Sequence, residues 1–265
     1  MRLSITADDL GLSPGVTRGI LEAHRGGVVR STSLLVTYAG GEEAAVAALA
    51  EPELEVGLHL DLVGGMPAAE PALVPSLIDR EGRFHGLGTF AWRLFTCRVR
   101  SDEVAREVRA QVARARSWGV PALAWDSHRH THLLAPVGRV VGALAREEGV
   151  RWLRRGAPPA LPRGARPGVV ALASLAAGPF FRGIPGNDWY VDLSSWRPML
   201  DAAAVGLLAA HPGVGEIGAH PGHPDEALRA RDALVGRRAE ELALLTTPLL
   251  RTALGGNAVS WRVPG

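Results

Sequence analysis

The 265-residue sequence contains no lysine and a single cysteine, Cys97. One thiol excludes an intrachain disulfide and a cysteine-rich zinc cluster. The chain must therefore be held by its core, which its length permits. Aromatic residues are scarce at 5%. No apolar run reaches the roughly 18 residues of a membrane-spanning helix. Gly168 to Phe181 comes nearest, but it is short and carries Pro179. The opening MRLSITADD lacks an apolar h-region and reads as structure rather than as a signal peptide. A soluble, cytoplasmic protein without membrane insertion is expected. The strings GxSxG, GxxxxGK[ST] and HExxH are also missing, which counts against serine hydrolases, P-loop enzymes and zincins.

Charge is nearly balanced: 29 basic and 27 acidic residues leave +2. Every basic residue is arginine. The tightest groups, Arg151 to Arg155 and Arg163 to Arg166, fall in loop-like sequence. They read as solvated side chains rather than as a basic stripe, so no nucleic-acid partner is expected.

What is present is an alternation of short apolar runs and helical patterns. The spacing predicts strands at Leu3 to Ala7, Val28 to Val36, Glu55 to Leu62, Ala122 to Asp126 and Gly215 to Ala219, with a last one at Val259 to Val263. It predicts helices at Pro14 to Gly26, Gly41 to Leu49, Ser101 to Trp118 with Gly119 as cap, Val137 to Glu148, Pro198 to Ala210 and Asp225 to Leu245. The stretch with Pro67, Pro71 and Pro75 is looser, and Arg151 to Pro185 resists assignment. Strands separated by helices imply βαβ units and a parallel sheet. With no fixed-period repeat and no long linker, the expectation is a barrel-like α/β fold in one domain, residues 1–265.

Histidine carries the chemistry. Six of nine histidines fall at His59, in His128-Arg129-His130-Thr131-His132, and at His220 with His223. Carboxylates accompany them at Asp8-Asp9, Asp61, Asp126 and Asp225. Each group lies at or just past the C-terminal end of a predicted strand, the edge where parallel α/β folds house ligands and catalysis. Taken singly the signals are weak: Asp8-Asp9 can cap a helix, and His59 can be a hydrogen-bonded core residue. Their common location favours a site. Neutral imidazoles at alternate positions suit a divalent metal, although an extended H-x-H-x-H would present one ligand and two substrate or supporting groups. His24, His85 and His211 read as surface residues and Cys97 as structural.

The strings TADDLGLSPGVTRGILEAHRGGVVRSTSLLV, VGLHLDL, DSHRHTHLL and AHPGHPD resemble, in order and across nearly the whole chain, the YdjC-like carbohydrate deacetylases. The group includes chitooligosaccharide deacetylase and hopanoid-associated relatives. The resemblance implies a distorted (β/α) TIM-like barrel that hydrolyses the N-acetyl group of amino sugars around one divalent cation, Mg2+ or Zn2+. It implies Asp9, His59 and His128 as metal ligands, Asp8 as general base and His220 as general acid. Around them Asp61, Asp126, Arg129, His130, His132 and His223 are expected to touch substrate or support the ligands. Thr6, Arg129 and Ala219 stand where family members usually carry Asn, His and Cys or a similar residue. None of these removes a ligand, but Arg129 brings a fixed cation close to the site.

Two other functions are open to the same residues: a two-metal phosphoester hydrolase using Asp8 and Asp9 together, or a non-catalytic sugar binder. The substrate is expected to be a small N-acetyl amino sugar, free or conjugated. Val169 to Phe181 with Trp189-Tyr190 is either a wall over the site or, for the apolar segment, an ordinary buried helix. A homodimer is the default assembly.

Overall fold

The first strand sets the pattern of the molecule. In β1 (Arg2–Leu10), successive side chains point to opposite faces. Leu3, Ile5 and Ala7 therefore share one buried face, and Ser4, Thr6 and Asp8 share the other. The second face is buried too, so its hydroxyls need partners. Ser4 Oγ lies 3.3 Å from both Thr6 Oγ1 and Ser31 Oγ, and Thr6 Oγ1 donates to Glu216 Oε1 at 3.0 Å. One face of the sheet is thus apolar and the other is a hydrogen-bonded polar layer.

The structure, a computed structural model, describes residues 2–157, 165–195, 200–229 and 234–255. After β1 come α1 (Pro14–Arg25), β2 (Ser31–Leu34), α2 (Gly41–Leu49), β3 (Glu55–Leu60), α3 (Leu87–Phe95), α4 (Ser101–Ser117), β4 (Ala124–Ser127) and α5 (Ala135–Glu147). Then follow β5 (Trp152–Leu153), α6 (Ala165–Ala177), β6 (Trp189–Asp192), α7 (Ala202–Ala209), β7 (Val214–Ala219), α8 (Glu226–Arg229), α9 (Val235–Thr246) and α10 (Pro248–Leu254). All seven strands are parallel in the order β5-β4-β3-β2-β1-β7-β6. Loop bonds tie the two sheet edges together: Leu153 N–H to Pro185 O at 2.9 Å and Tyr190 N–H to Ala157 O at 2.5 Å. Among the described residues this is a distorted TIM-like barrel of seven strands, curled, with loop contacts joining its two edge strands.

Several boundaries differ from the sequence reading. β1 runs on to Leu10 through a register shift between Ala7 and Leu10, so the aspartate pair lies within the strand. β2 is only Ser31–Leu34. The segment left unassigned holds β5 and α6, and the long C-terminal helix is α8 and α9 on either side of residues 230–233, outside the described residues. The strand expected at Val259 to Val263 lies outside them as well. Helix α6 is not an ordinary buried helix, because Val169, Leu172 and Leu175 are 64%, 69% and 75% exposed. His24 is buried, with Nδ1 2.9 Å from Val29 O, and Cys97 is exposed at a left-handed residue closing α3. Among the described residues no helix is long and apolar enough to cross a membrane.

Two features bring loops to the rim. Carboxylates of α4 hold the proline-rich stretch: Glu107 accepts from the Ala68 and Ala69 amides, and Glu103 from that of Ser76. On the other side α1 approaches the 220–223 turn so closely that a Cβ on Gly19 would lie 2.5 Å from Gly222 Cα. Ser13 caps this helix by accepting from the Val16 amide, and Asp225 reaches across to the Gly15 amide at 2.6 Å. Gly19→Ala should therefore cost about 1–3 kcal/mol through forced displacement of backbone, lowering the melting temperature by roughly 2–10 °C. Gly26→Ala, where a Cβ has room, should leave it nearly unchanged. Equal melting temperatures for the two variants in calorimetry would rule out the close approach.

Candidate active site

Every strand delivers a polar side chain to the C-terminal rim or the polar layer beneath it. The aspartates come from β1, Ser33 from β2, His59 from β3, Asp126 from β4, Arg154 from just past β5, Asp192 from β6 and Glu216 from β7. Neighbouring residues on a strand normally face opposite ways, yet both aspartates serve one cluster. The register shift and the left-handed backbone of Asp9, φ 70°, turn its carboxylate to the side of Asp8. Such strain on a non-glycine residue persists only where surrounding structure holds it. Arg238 from α9, donating to Asp9 Oδ2 at 2.5 Å, is part of that hold.

Asp9, His59 and His128 present one carboxylate oxygen and two imidazole nitrogens within 4.8 Å of one another. Asp9 Oδ1 lies 2.8 Å from His128 Nδ1 and 3.3 Å from His59 Nε2. His59 and Asp126 are register partners on β3 and β4, so Asp126 Oδ1 reaches His59 Nδ1 at 2.7 Å and Ser33 Oγ lies 3.0 Å from the same nitrogen. With Nδ1 tied down, Nε2 is the nitrogen turned to the cluster, the arrangement of a carboxylate-oriented metal ligand. A carboxylate and two imidazoles suit Zn2+ and accept Mg2+.

The electrostatics are those of a cation site. Burial opposes the charge on Asp9, but His128 and Arg238 outweigh it and hold the carboxyl well below its usual range. Burial likewise opposes a charged His59, yet Asp126, Asp9 and Asp8 hold that ring well above the usual imidazole range. A divalent ion held there would compete with a proton for His59.

Asp8 and His220 line the same partly open cavity. Both Asp8 oxygens receive the Arg154 guanidinium, at 2.6 and 2.8 Å, and His220 Nε2 stands 4.0 Å from Asp8 Oδ2. On its other side His220 Nδ1 lies 3.8 Å from Glu241 and 3.9 Å from Asp192, while its backbone N–H donates to Glu241 Oε2 at 2.6 Å. Burial resists a charge on His220, but Glu241 and Asp192 prevail and push it up to about 9.

The three histidines after β4 have three different surroundings. The run is a tight turn, not an extended strand, with Arg129 and His130 left-handed at φ 55°. His128 joins the Asp9 cluster. His130 lines the cavity, edge-on to the Tyr190 ring at 5.4 Å and 3.9 Å from Asp192, with burial pushing its pKa down. His132 is wholly buried, with Nδ1 2.5 Å from Ser127 Oγ and Nε2 2.9 Å from Arg154 O, so both nitrogens are taken; burial pushes it down to about 3. Arg129 is exposed on the cavity rim.

Other expected site residues lie elsewhere. His223 is half-exposed and pairs with Glu22 at 2.8 Å on the surface. Asp225 caps α1 and α8. Asp61 is buried but holds its own loop, accepting from the Thr37 hydroxyl and the Val63 amide. Trp189 and Tyr190 are buried strand residues rather than a wall over the cavity.

The sequence reading missed Arg154, Glu216, Asp192, Arg238 and Glu241. Arg154, which in sequence reads as one of a group of solvated arginines, is fully buried among three carboxylates. A charge inside the otherwise small and apolar run VGEIGA was the available signal for Glu216. Arg238 and Glu241 follow the period of the buried face of α9 with Leu242 and Leu245, which marks them as interior charges.

A family model described as YdjC-like protein matches residues 2–255. The chain belongs to this family. It is 35% identical to the carbohydrate deacetylase of Brevibacillus brevis over 255 residues, 95% of this chain and 93% of that one. It is 33% identical to the chitooligosaccharide deacetylase of Klebsiella pneumoniae over 255 residues, with the same shares of the two chains. Among solved structures, a candidate cellobiose-phosphate cleavage protein of Enterococcus faecalis superposes with a TM-score of 0.82 at 27% identity, covering 98% of this chain and 96% of that one.

Two outcomes follow for this YdjC-like chain. His128→Ala should lower metal content after dialysis against chelator and resupply, measured by elemental analysis; full content would transfer the ligand role to His130. Metal binding should release a proton near neutral pH, because the raised His59 is protonated there until the ion displaces it. Calorimetric titration in buffers of different ionisation enthalpy reads that proton, and its absence would mean that His59 is not a ligand.

Proposed function

We propose that this chain is a metal-dependent carbohydrate N-deacetylase, removing acetate from an N-acetylated amino sugar. One observation carries the reading. A carboxylate and a strongly basic imidazole, Asp8 and His220, face each other at 4.0 Å across a cavity bounded by the Asp9, His59 and His128 cluster. The names of the Brevibacillus and Klebsiella relatives support the substrate class.

Amide hydrolysis needs a nucleophile stronger than water, a stabilised oxyanion and a proton for the departing amine. A divalent ion held by Asp9, His59 and His128 would supply Lewis-acid polarisation of the acetyl carbonyl and make water more acidic. Asp8 takes the proton of the attacking water. Its Oδ1 also accepts from the Ser33 hydroxyl, but Oδ2, which faces His220, has a second lone pair beyond the one given to Arg154. His220, protonated at neutral pH, donates to the leaving nitrogen, and Glu241 with Asp192 keeps that proton in place. His130, beside them in the cavity, and Arg129 on the rim are the groups placed to meet the sugar. The two-metal alternative finds no support at Asp8, whose oxygens both face a guanidinium.

The deciding experiment is acetate release from N-acetylglucosamine oligomers by protein stripped of metal and resupplied with Zn2+, Mg2+ or Co2+. Release with none of them, from a chain that still binds an ion, would reject this substrate. Asp8→Asn should lower turnover by about 100- to 10,000-fold and keep the metal; loss of metal in that variant would instead make Asp8 a ligand.

The pH profile gives a separate check. His220 is the acid only while protonated, so the rate should fall as pH rises through about 9. In Glu241→Gln one of the carboxylates that raise His220 is gone, and the alkaline limb should move to lower pH. An unmoved limb would assign it to another group.

A further inference from the structure

Besides the Asp9 cluster, a second set of donors meets the spacing of a metal site: Asp8, His59 and Asp126, all buried, with ligand atoms within 4.8 Å of one another. Glu216, also buried, adjoins them. These carboxylates already share a cation. The Arg154 guanidinium gives Nη1 to Asp8 Oδ2 at 2.6 Å and Nη2 to Asp8 Oδ1 at 2.8 Å. It lies 2.8 Å from both Asp126 Oδ2 and Glu216 Oε1, with Nε donating to Glu216 at 2.9 Å. Arg154 is fully buried. Its backbone is fixed by His132, whose Nε2 donates to the Arg154 carbonyl, and by its own N–H to Trp125 O at 3.0 Å; the Tyr190 ring lies 5.0 Å from the guanidinium.

We infer that Arg154 is a built-in cation that fills a would-be second metal site, and so confines this cavity to one ion and reserves Asp8 for proton transfer. The argument rests on the metal-dependent reading above and extends it. Asp8 and Asp9 are adjacent, and both carboxylates lie near His59. The asymmetry between them is set by which arginine each meets. Arg238 touches one oxygen of Asp9 and leaves Oδ1 to the histidines. Arg154 covers both oxygens of Asp8 in the bidentate fork that a planar guanidinium offers and an ammonium does not. A guanidinium carries its charge permanently, so this cation is neither exchanged nor chelated away.

The test counts ions and needs no substrate. Metal-free wild type, Arg154→Met, Arg154→Gln and Arg154→Lys are titrated with Mn2+, free ion being followed by electron paramagnetic resonance and bound ion by elemental analysis. Wild type and Arg154→Lys should saturate at one ion per chain. Arg154→Met and the more conservative amide, Arg154→Gln, should take two, and adding Asp8→Asn to either should return the count to one. A count of one in both neutral variants, at wild-type affinity, would sink the inference while leaving the metal reading intact. Two ions in the wild type would sink it as well. No ion in the wild type would overturn the metal reading itself. Should Arg154→Met not fold, the Gln variant carries the comparison.

Discussion

Three carboxylates and one guanidinium, packed behind the cavity that Asp8 lines, set the terms for the rest of the structure. Charges removed from water are tolerated only when paired and hydrogen-bonded, and Asp8, Asp126 and Glu216 all find their pairing in Arg154. Each then serves a different neighbour. Asp8 faces His220, Asp126 orients His59, and Glu216 accepts from the Thr6 hydroxyl and the Trp152 indole. Breaking such a group by removing one partner typically costs about 3–5 kcal/mol, so the polar layer is as much a part of the fold's stability as of its chemistry.

The same logic explains the distribution of strain. Of the five left-handed non-glycine residues among those described, Asp9, Arg129 and His130 sit on the rim of the cavity, while Cys97 and Ala122 do not. Each of the three on the rim lets a short segment bring adjacent side chains to one place, which regular backbone forbids. A strand alone would send Asp8 and Asp9 to opposite faces, and a helix or strand after β4 would not give His128, His130 and His132 three separate surroundings. Their supports come from distant parts of the chain: Arg238 on α9 for Asp9, and Arg154 after β5 for the 128–132 turn through His132.

The two arginines and the two acidic partners of His220 divide the labour of the cavity. One half, Asp9 with His59 and His128, is arranged to attract a cation. The other half, His220 between Glu241 and Asp192, is arranged to keep a proton. In the proposed reaction, separating those tasks around Asp8 would let one cavity activate a nucleophile and protonate a leaving group without the two functions exchanging their proton.

Much of this molecule was written locally. The alternation of strands and helices, helix α2 and the placing of Asp8, Asp9, His59, His128 and His220 towards the C-terminal ends of strands follow from periodicity and from motifs that any reader of the chain can see. Local sequence cannot show pairing across the barrel. Arg154 and its neighbours Arg151 and Arg155 look alike in a row of letters, yet only the curl of the sheet carries Arg154 under Asp8, 146 positions away. Distance along the chain also hid Glu241 and Asp192 behind His220. His223 shows the reverse: it sits beside the HP motif in sequence, but the turn at Gly222 packed on α1 sends it to the surface. Residue type and spacing determined which groups reach the rim. The tertiary structure decided which charge each of them meets, because a buried charge is defined by its partner and the partners come from different strands.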